Sequence, residues 1–168
     1  MSLLWFQQVA LRRGGRLLFE NFDLNLASGD AVQVVGPNGS GKSSLIRLAA
    51  GLLEAERGQV ERTRLALADD NLALDRELPL RRALHLWGGT VDPAMHALGL
   101  SELADVPVRL LSSGQAKRAT LARVASASGA RLWLLDEPLN ALDADAADRL
   151  GNLIEQHLAA GGAVLAAS

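Results

Sequence analysis

The chain contains no cysteine. That absence excludes disulfides, iron–sulfur ligation and thiol catalysis. Its histidines, His85, His96 and His157, lack metal-ligand spacing, and each reads as a helix-surface or helix-boundary residue. Lysine is scarce: only Lys42 and Lys117 occur, and every other cationic side chain is arginine. There is no basic block and the net charge is −2, so nucleic acid is not an expected partner. No apolar run approaches the length of a membrane span, and Met1-Ser2-Leu3-Leu4-Trp5 lacks the charged start and cleavage site of an export signal. The chain is expected to stay in the cytoplasm and to meet a membrane only through a partner. Repeats and low-complexity linkers are also missing. What is present is an ordinary globular composition, 49% apolar and 21% charged over 168 residues, enough for about one domain with a substantial core.

The chain is organised around Gly36-Pro37-Asn38-Gly39-Ser40-Gly41-Lys42-Ser43, which fits the phosphate-binding loop pattern. A polyphosphate must touch backbone N–H groups, and side chains at the glycine positions would block it. Gly39 and Gly41 permit the positive-φ turns that aim successive N–H groups inward as an anion nest. Ala31 to Val35 before the loop is a β-branched run, and Ser44-Leu45-Ile46-Arg47-Leu48-Ala49-Ala50 after it reads as a helix. Strand, loop and helix in that order point the helix dipole at the phosphates. Lys42 then sits on the outer phosphates and the Ser43 hydroxyl holds Mg²⁺.

Elsewhere Phe22, Leu24 and Leu26 alternate with Asp23 and Asn25, the period of a half-buried strand. Arg12-Arg13-Gly14-Gly15-Arg16 reads as a hairpin or loop, either a solvated turn or one facing a nucleotide. Gly51 fits a helix C-cap, and a strand begins at Arg57-Gly58-Gln59-Val60. Residues 76 to 127 change character and read as a helical insert. There Leu80, Ala83, Leu84 and Trp87 recur at helical spacing, while Leu98, Leu100 and Leu103 suggest a second short helix. Leu142, Ala146, Leu150, Leu153, Ile154 and Leu158 mark an amphipathic helix ended by Gly161-Gly162, and Ala163 to Ala167 is a last buried strand. The expected class is α/β, a P-loop domain of the NTPase type with a mostly parallel core sheet, an antiparallel β-subdomain and the helical insert.

Leu132-Trp133-Leu134-Leu135 suits a central strand covered on both faces, and Asp136-Glu137 follows at its C-terminal end, where α/β sheets bind ligands. Burying carboxylates there without a cation is costly, so bound Mg²⁺ is their natural partner. Leu111-Ser112-Ser113-Gly114-Gln115 opens another helix, a Ser with Gln three residues on, as in a capping box.

The phosphate loop, the Ser-Ser-Gly-Gln opening and Asp136-Glu137, in this order, resemble the ATP-binding cassette (ABC) ATPases, whose signature is L-S-G-G-Q. The resemblance covers essentially the whole chain and includes Ala141-Leu142-Asp143. Within that superfamily the chain is most similar to the ATPase subunits of bacterial haem exporters used in cytochrome c maturation, through Arg13 to Phe19 and Leu132 to Pro138. The resemblance implies ATP and Mg²⁺ as cofactors. Gly36, Pro37, Asn38, Gly39, Ser40, Gly41, Lys42, Ser43 and Ser44 would form the ATP loop. Ser43 and Asp136 would hold the metal, and Glu137 would act on the attacking water. Ser112, Ser113, Gly114 and Gln115 would contact ATP bound to a second ATPase subunit in a head-to-tail homodimer, with Asp143 at that interface. A separate transmembrane subunit would place the dimer at the cytoplasmic face of the inner membrane.

Four departures from the family pattern accompany these expectations. Ser113 replaces the first signature glycine. Arg13 stands where many cassettes carry an adenine-stacking aromatic, and a guanidinium plane can stack too. Residues 60 to 110 contain no glutamine, which leaves Asn71 as the best-placed amide for the metal. The family's switch histidine is expected next after Ser168, so this 168-residue form is expected to bind Mg-ATP and hydrolyse it poorly. The alternative functions are the ATPase subunit of another ABC transporter, or an ATP-dependent dimerisation module with weak hydrolysis.

Overall fold

A computed structural model describes residues 1–168. The chain forms two compact units and passes between them at 67/68, 129/130, 137/138 and 156/157.

The first unit comprises Met1–Leu67, Ala130–Glu137 and His157–Ser168. Its chain opens with a long hairpin, β1 (Ser2–Arg13) and β2 (Arg16–Ala27), closed with Arg13 opposite Arg16. Gly14 and Gly15 form the two-residue link with φ of 55° and 78°, the primed turn that matches strand twist. Strand β4 (Arg57–Arg62) lies antiparallel on the other side of β1, giving the order β2-β1-β4. The second sheet has the order β3-β7-β6-β5, from β3 (Ala31–Val34), β5 (Leu65–Ala68), β6 (Leu132–Asp136) and β7 (Ala163–Ala167). Strands β3 and β6 both run parallel to β7. Their C-terminal ends therefore open on one edge, the phosphate loop leaving β3 and Asp136 closing β6.

Helix α1 (Lys42–Ala50) turns Leu45, Ile46, Leu48 and Ala49 inward. They join Leu3, Leu4 and Phe6 of β1, Leu132 and Leu134 of β6 and Leu165 of β7 in one core. The helix stops at Gly51, whose N–H reaches Leu48 O while Leu52 N–H reaches Arg47 O, a Schellman arrangement. Ile46 is fully buried, and truncating it to alanine removes packing worth roughly 2–5 kcal/mol.

The second unit comprises Ala68–Gly129 and Pro138–Gln156. Helices α2 (Leu80–His85), α3 (Val91–Ala97) and α4 (Ser113–Ser126) pack on one another. The helical reading of this region holds, with one correction. The short helix expected around Leu98, Leu100 and Leu103 lies earlier, at Val91–Ala97, and is followed by 3₁₀ turns at Ser101–Leu103 and Val108–Leu110. Leu98 and Leu100 are fully buried, but the chain reverses between them at Gly99, so their spacing reports burial and not a helix face. Pro93 falls in the first turn of α3, where its missing N–H costs nothing. Helix α5 (Ala144–Ala159) completes the chain's elements, and Asp143 Oδ1 accepts from Ala146 N–H at its start, 2.8 Å away.

Candidate active site

The loop between β3 and α1 is built from backbone. Gly41 takes the N-cap position of α1 at φ 104° and ψ 8°, a conformation that a side chain disfavours. No side chain caps the helix, so its first N–H groups are left for an anion. Gly39 also has positive φ. Lys42 is buried and folds back over the loop, its Nζ donating to Gly36 O at 2.6 Å and Pro37 O at 3.1 Å. The ammonium is thus fixed at the loop's rim by two carbonyls, in a position to trade them for phosphate oxygens.

Beside the loop is a cleft of about 460 Å³. Asn38, Gly39 and Gly41 to Ser44 form one wall, Arg13, Gly14 and Leu18 of the β1–β2 hairpin another, and Glu137 faces them. The hairpin therefore faces the loop: Gly14 belongs to the turn read above as either solvated or nucleotide-facing, and Leu18, beyond that turn, joins it on the cleft.

Two side-chain oxygens from distant parts of the chain meet at this loop. Ser43 Oγ donates to Asp136 Oδ1 at 3.1 Å, and Asp136 is buried at the end of β6. A hydroxyl next to a carboxylate is a hard oxygen donor set, which fits Mg²⁺ and offers nothing to a softer metal. Glu137 continues the strand for one more bond, its N–H donating to Ala167 O at 2.9 Å. It does so with φ 46°, a left-handed backbone that costs on the order of 1–3 kcal/mol for a non-glycine residue. In a regular strand consecutive side chains point to opposite faces. The positive φ at Glu137 breaks that alternation, and Glu137 lines the cleft while Asp136 stays buried.

The second unit gathers the remaining motif residues. Ser112 caps α4 as a full capping box: Ser112 Oγ accepts from Gln115 N–H, and Gln115 Oε1 accepts from Ser112 N–H. Ser113 is the first residue of α4 and is exposed. Ser112, Gly114, Gln115 and Arg118 share a small cavity of about 150 Å³ with Ala141, Leu142 and Asp143, so signature and aspartate loop meet. A Cβ on Gly114 would come within 2.8 Å of Ala141 O, and Ala141 itself has φ 63°. Arg118 was not foreseen; it reaches from α4 to Leu98 O and Gly99 O at the end of α3. Asn71 also lies in the second unit, in a loop lining a different cavity with Arg76 and Arg109. Its Oδ1 accepts from Ala73 N–H in an Asx turn.

Of the histidines, His85 and His96 lie exposed in the last turns of α2 and α3. His157 differs: its ring stacks on Trp133 with centroids 3.9 Å apart, and Nε2 lies 3.1 Å from Arg131 O. Burial lowers its pKa, against hydrogen bonds to the Arg131 and Ala163 backbone that raise it.

With this geometry in hand, the comparisons agree at two levels. The family model described as ABC transporter matches residues 19–140, and the chain is an ATPase of the ABC transporter type. It is 56% identical over 174 residues to the cytochrome c biogenesis ATP-binding export protein CcmA of Sphingopyxis alaskensis, covering 99% of this chain and 89% of that protein. It is 54% identical over 164 residues to the CcmA of Novosphingobium aromaticivorans, covering 95% of this chain and 85% of that one. At that identity and coverage the chain belongs to the CcmA family of ABC transporter ATPases. Solved structures agree on the fold: an ATP-binding subunit of an ABC transporter superposes with a TM-score of 0.87 at 22% identity, over 98% of this chain and 79% of that one. A putative ABC transporter ATP-binding protein from Pyrococcus furiosus gives 0.83 at 21%, over 98% and 90%.

Proposed function

We propose that this chain is the ATP-hydrolysing subunit of a haem-exporting transporter that serves cytochrome c biogenesis, and that its two units work as one ATP-binding domain with residues 76–127 as the helical insert. The observation that carries the catalytic part is the convergence of the loop, the Ser43–Asp136 pair and Glu137 on one cleft edge. The biological part is supported by the identity to the CcmA proteins over nearly the whole chain.

In this reading Asn38 to Ser44 wrap the phosphates with backbone N–H groups, and Lys42 exchanges its two loop carbonyls for phosphate oxygens. Ser43 and Asp136 hold Mg²⁺, which when bound neutralises charge on the phosphates. Asn71 is the amide assigned to join them in this reading; its Oδ1 already accepts one bond, from Ala73 N–H, and keeps a second lone pair. Glu137 orients a water in line with the terminal phosphorus and takes its proton. The water oxygen bonds to phosphorus as the bond to the bridging oxygen breaks, and ADP leaves with that electron pair.

The exposed signature end of α4 faces outward in this reading, toward ATP on a second copy of the chain. Ser112, Ser113, Gly114 and Gln115 contact that nucleotide and Asp143 lies at the same interface. No helix is long and apolar enough to cross a membrane. The export step accordingly belongs to a separate transmembrane subunit, with this subunit peripheral on the cytoplasmic face of the inner membrane.

The test is copurification from native cells followed by an ATPase assay of the captured complex. Recovery with an integral membrane partner, and turnover that haem alters and Lys42→Ala abolishes, is expected. Recovery without any membrane protein, or turnover indifferent to haem, would remove the transport assignment.

A further inference from the structure

Trp87 shares its spacing with Leu80, Ala83 and Leu84 but not their burial. It lies just beyond α2, its N–H donating to Leu84 O, and is 55% exposed. The indole is nevertheless held at both its polar edge and its face. Nε1 donates to Ala73 O at 2.8 Å, and the Arg123 guanidinium carbon lies 4.6 Å from the ring centroid. Arg123 is buried in α4, where burial lowers its pKa and the charge of Asp69 raises it.

Asp69 opens the segment that carries Ala73, and two side chains fold that segment on itself. Asp69 Oδ1 accepts from Asn71 N–H at 3.0 Å, and Asn71 Oδ1 accepts from Ala73 N–H at 3.1 Å. Ala73 has φ 51°, a left-handed backbone that alanine disfavours because its Cβ crowds the following carbonyl. Such a residue persists only where its surroundings over-determine it. Here Asn71 holds its N–H and Trp87 its carbonyl. The turn occupies one Oδ1 lone pair of Asn71 and leaves the second for another partner.

We infer that Trp87 is a positioning residue: its bond to Ala73 O keeps the strained turn closed and so fixes the Asn71 amide. This rests on the reading in which Asn71 joins Ser43 and Asp136 on Mg²⁺, and it names the side chain that holds the amide in place. Glycine adopts the left-handed conformation freely, so Ala73→Gly should make the hold unnecessary.

The experiment uses Trp87→Phe, which keeps a ring against Arg123 but has no N–H to donate. The Mg²⁺ concentration for half-maximal ATPase rate should rise about two- to tenfold, the scale of one hydrogen bond, with ATP affinity retained. Adding Ala73→Gly should return it to within about twofold of the unsubstituted chain. A merely structural role for Trp87 gives no such rescue, because glycine restores no packing. An unchanged Mg²⁺ requirement in Trp87→Phe, or a raised one that Ala73→Gly does not restore, would overturn the inference. Asn71→Ala tests the underlying reading separately: an unchanged Mg²⁺ requirement there would remove Asn71 from the metal, and the role of Trp87 with it. Fluorine NMR of the nucleotide-free chain, labelled with fluorotryptophan, reads the turn without turnover. The Trp87 resonance is the one missing from Trp87→Phe. Asn71→Ala opens the turn and should move that resonance, and a resonance that stays in place would also overturn the inference.

Discussion

Ser43 Oγ and Asp136 Oδ1 lie 3.1 Å apart although 93 residues separate them in the chain. One sits in the first turn of α1 and the other ends β6, and β7 lies between their strands in the sheet. The pair is a hydroxyl donating to a buried carboxylate. In the function proposed above, its two oxygens are adjoining ligands for a hard cation.

Asp136→Asn should therefore leave nucleotide binding nearly intact while lowering turnover by on the order of a hundredfold and raising the Mg²⁺ concentration needed for half-maximal rate. Titrating Mg²⁺ in the ATPase assay checks this. An unchanged Mg²⁺ requirement would remove the metal from the pair.

Glu137→Gln preserves shape and the bond from its N–H to Ala167 O, but cannot take a proton. Turnover should drop by about 10²–10⁴ with ATP affinity retained, and the ATP-bound state should accumulate as dimer. Light scattering with ATP and a phosphate-release assay read the two effects separately. Wild-type turnover would exclude Glu137 as the base.

Lys42→Ala removes both the charge and the brace on Gly36 O and Pro37 O. Loss of ATP affinity by about a hundredfold is expected, together with only about 1 kcal/mol of stability. Lys42→Arg should not rescue binding, because a planar fork cannot enter the space of a single ammonium. Calorimetry decides; near-normal affinity in the alanine variant would contradict the loop assignment.

Gly114→Ala places a methyl group against a backbone carbonyl that cannot swing aside as a side chain can, 2.8 Å from Ala141 O. The cost should be about 1–3 kcal/mol, accompanied by displacement of the Ala141–Asp143 loop. Denaturant unfolding measures the first, and the proposed ATP-dependent dimerisation should weaken with it. A variant with unchanged stability would show that the two segments are not held together.

His157 gives a pH signature. Its pKa is lowered in the folded chain by burial against Trp133, so the unfolded chain binds the proton more readily. Stability from this ring is complete above its ordinary value near 6.5 and is lost as pH falls through that value toward the lowered one. His157→Phe should keep the stack and flatten the stability profile over that window. Unfolding midpoints equally steep with pH in both forms would rule the histidine out.

Features set by neighbouring residues were legible in the sequence. The Gly-rich loop, the Gly14–Gly15 turn, the reciprocal Ser112–Gln115 cap and the stop at Gly51 each close hydrogen bonds within a few residues, so residue type and spacing suffice. The run Leu132 to Leu135 announced a central strand because a strand covered on both faces must be apolar on both.

Periodicity misplaced the second helix of the insert. Leucines buried by a loop that reverses at Gly99 look like leucines on a helix face, because both patterns record only removal from water. The tertiary structure alone decided which distant residues meet. It brought Ser43 to Asp136, turned Arg13 onto Ser44 across 31 residues, and set Gly114 against Ala141 O. It also imposed the left-handed backbone at Glu137 by extending the β6–β7 ladder by one bond. Local residues do not favour that conformation. Packing of the parallel sheet sustains it, and packing is a property of strand order that no single stretch of sequence contains.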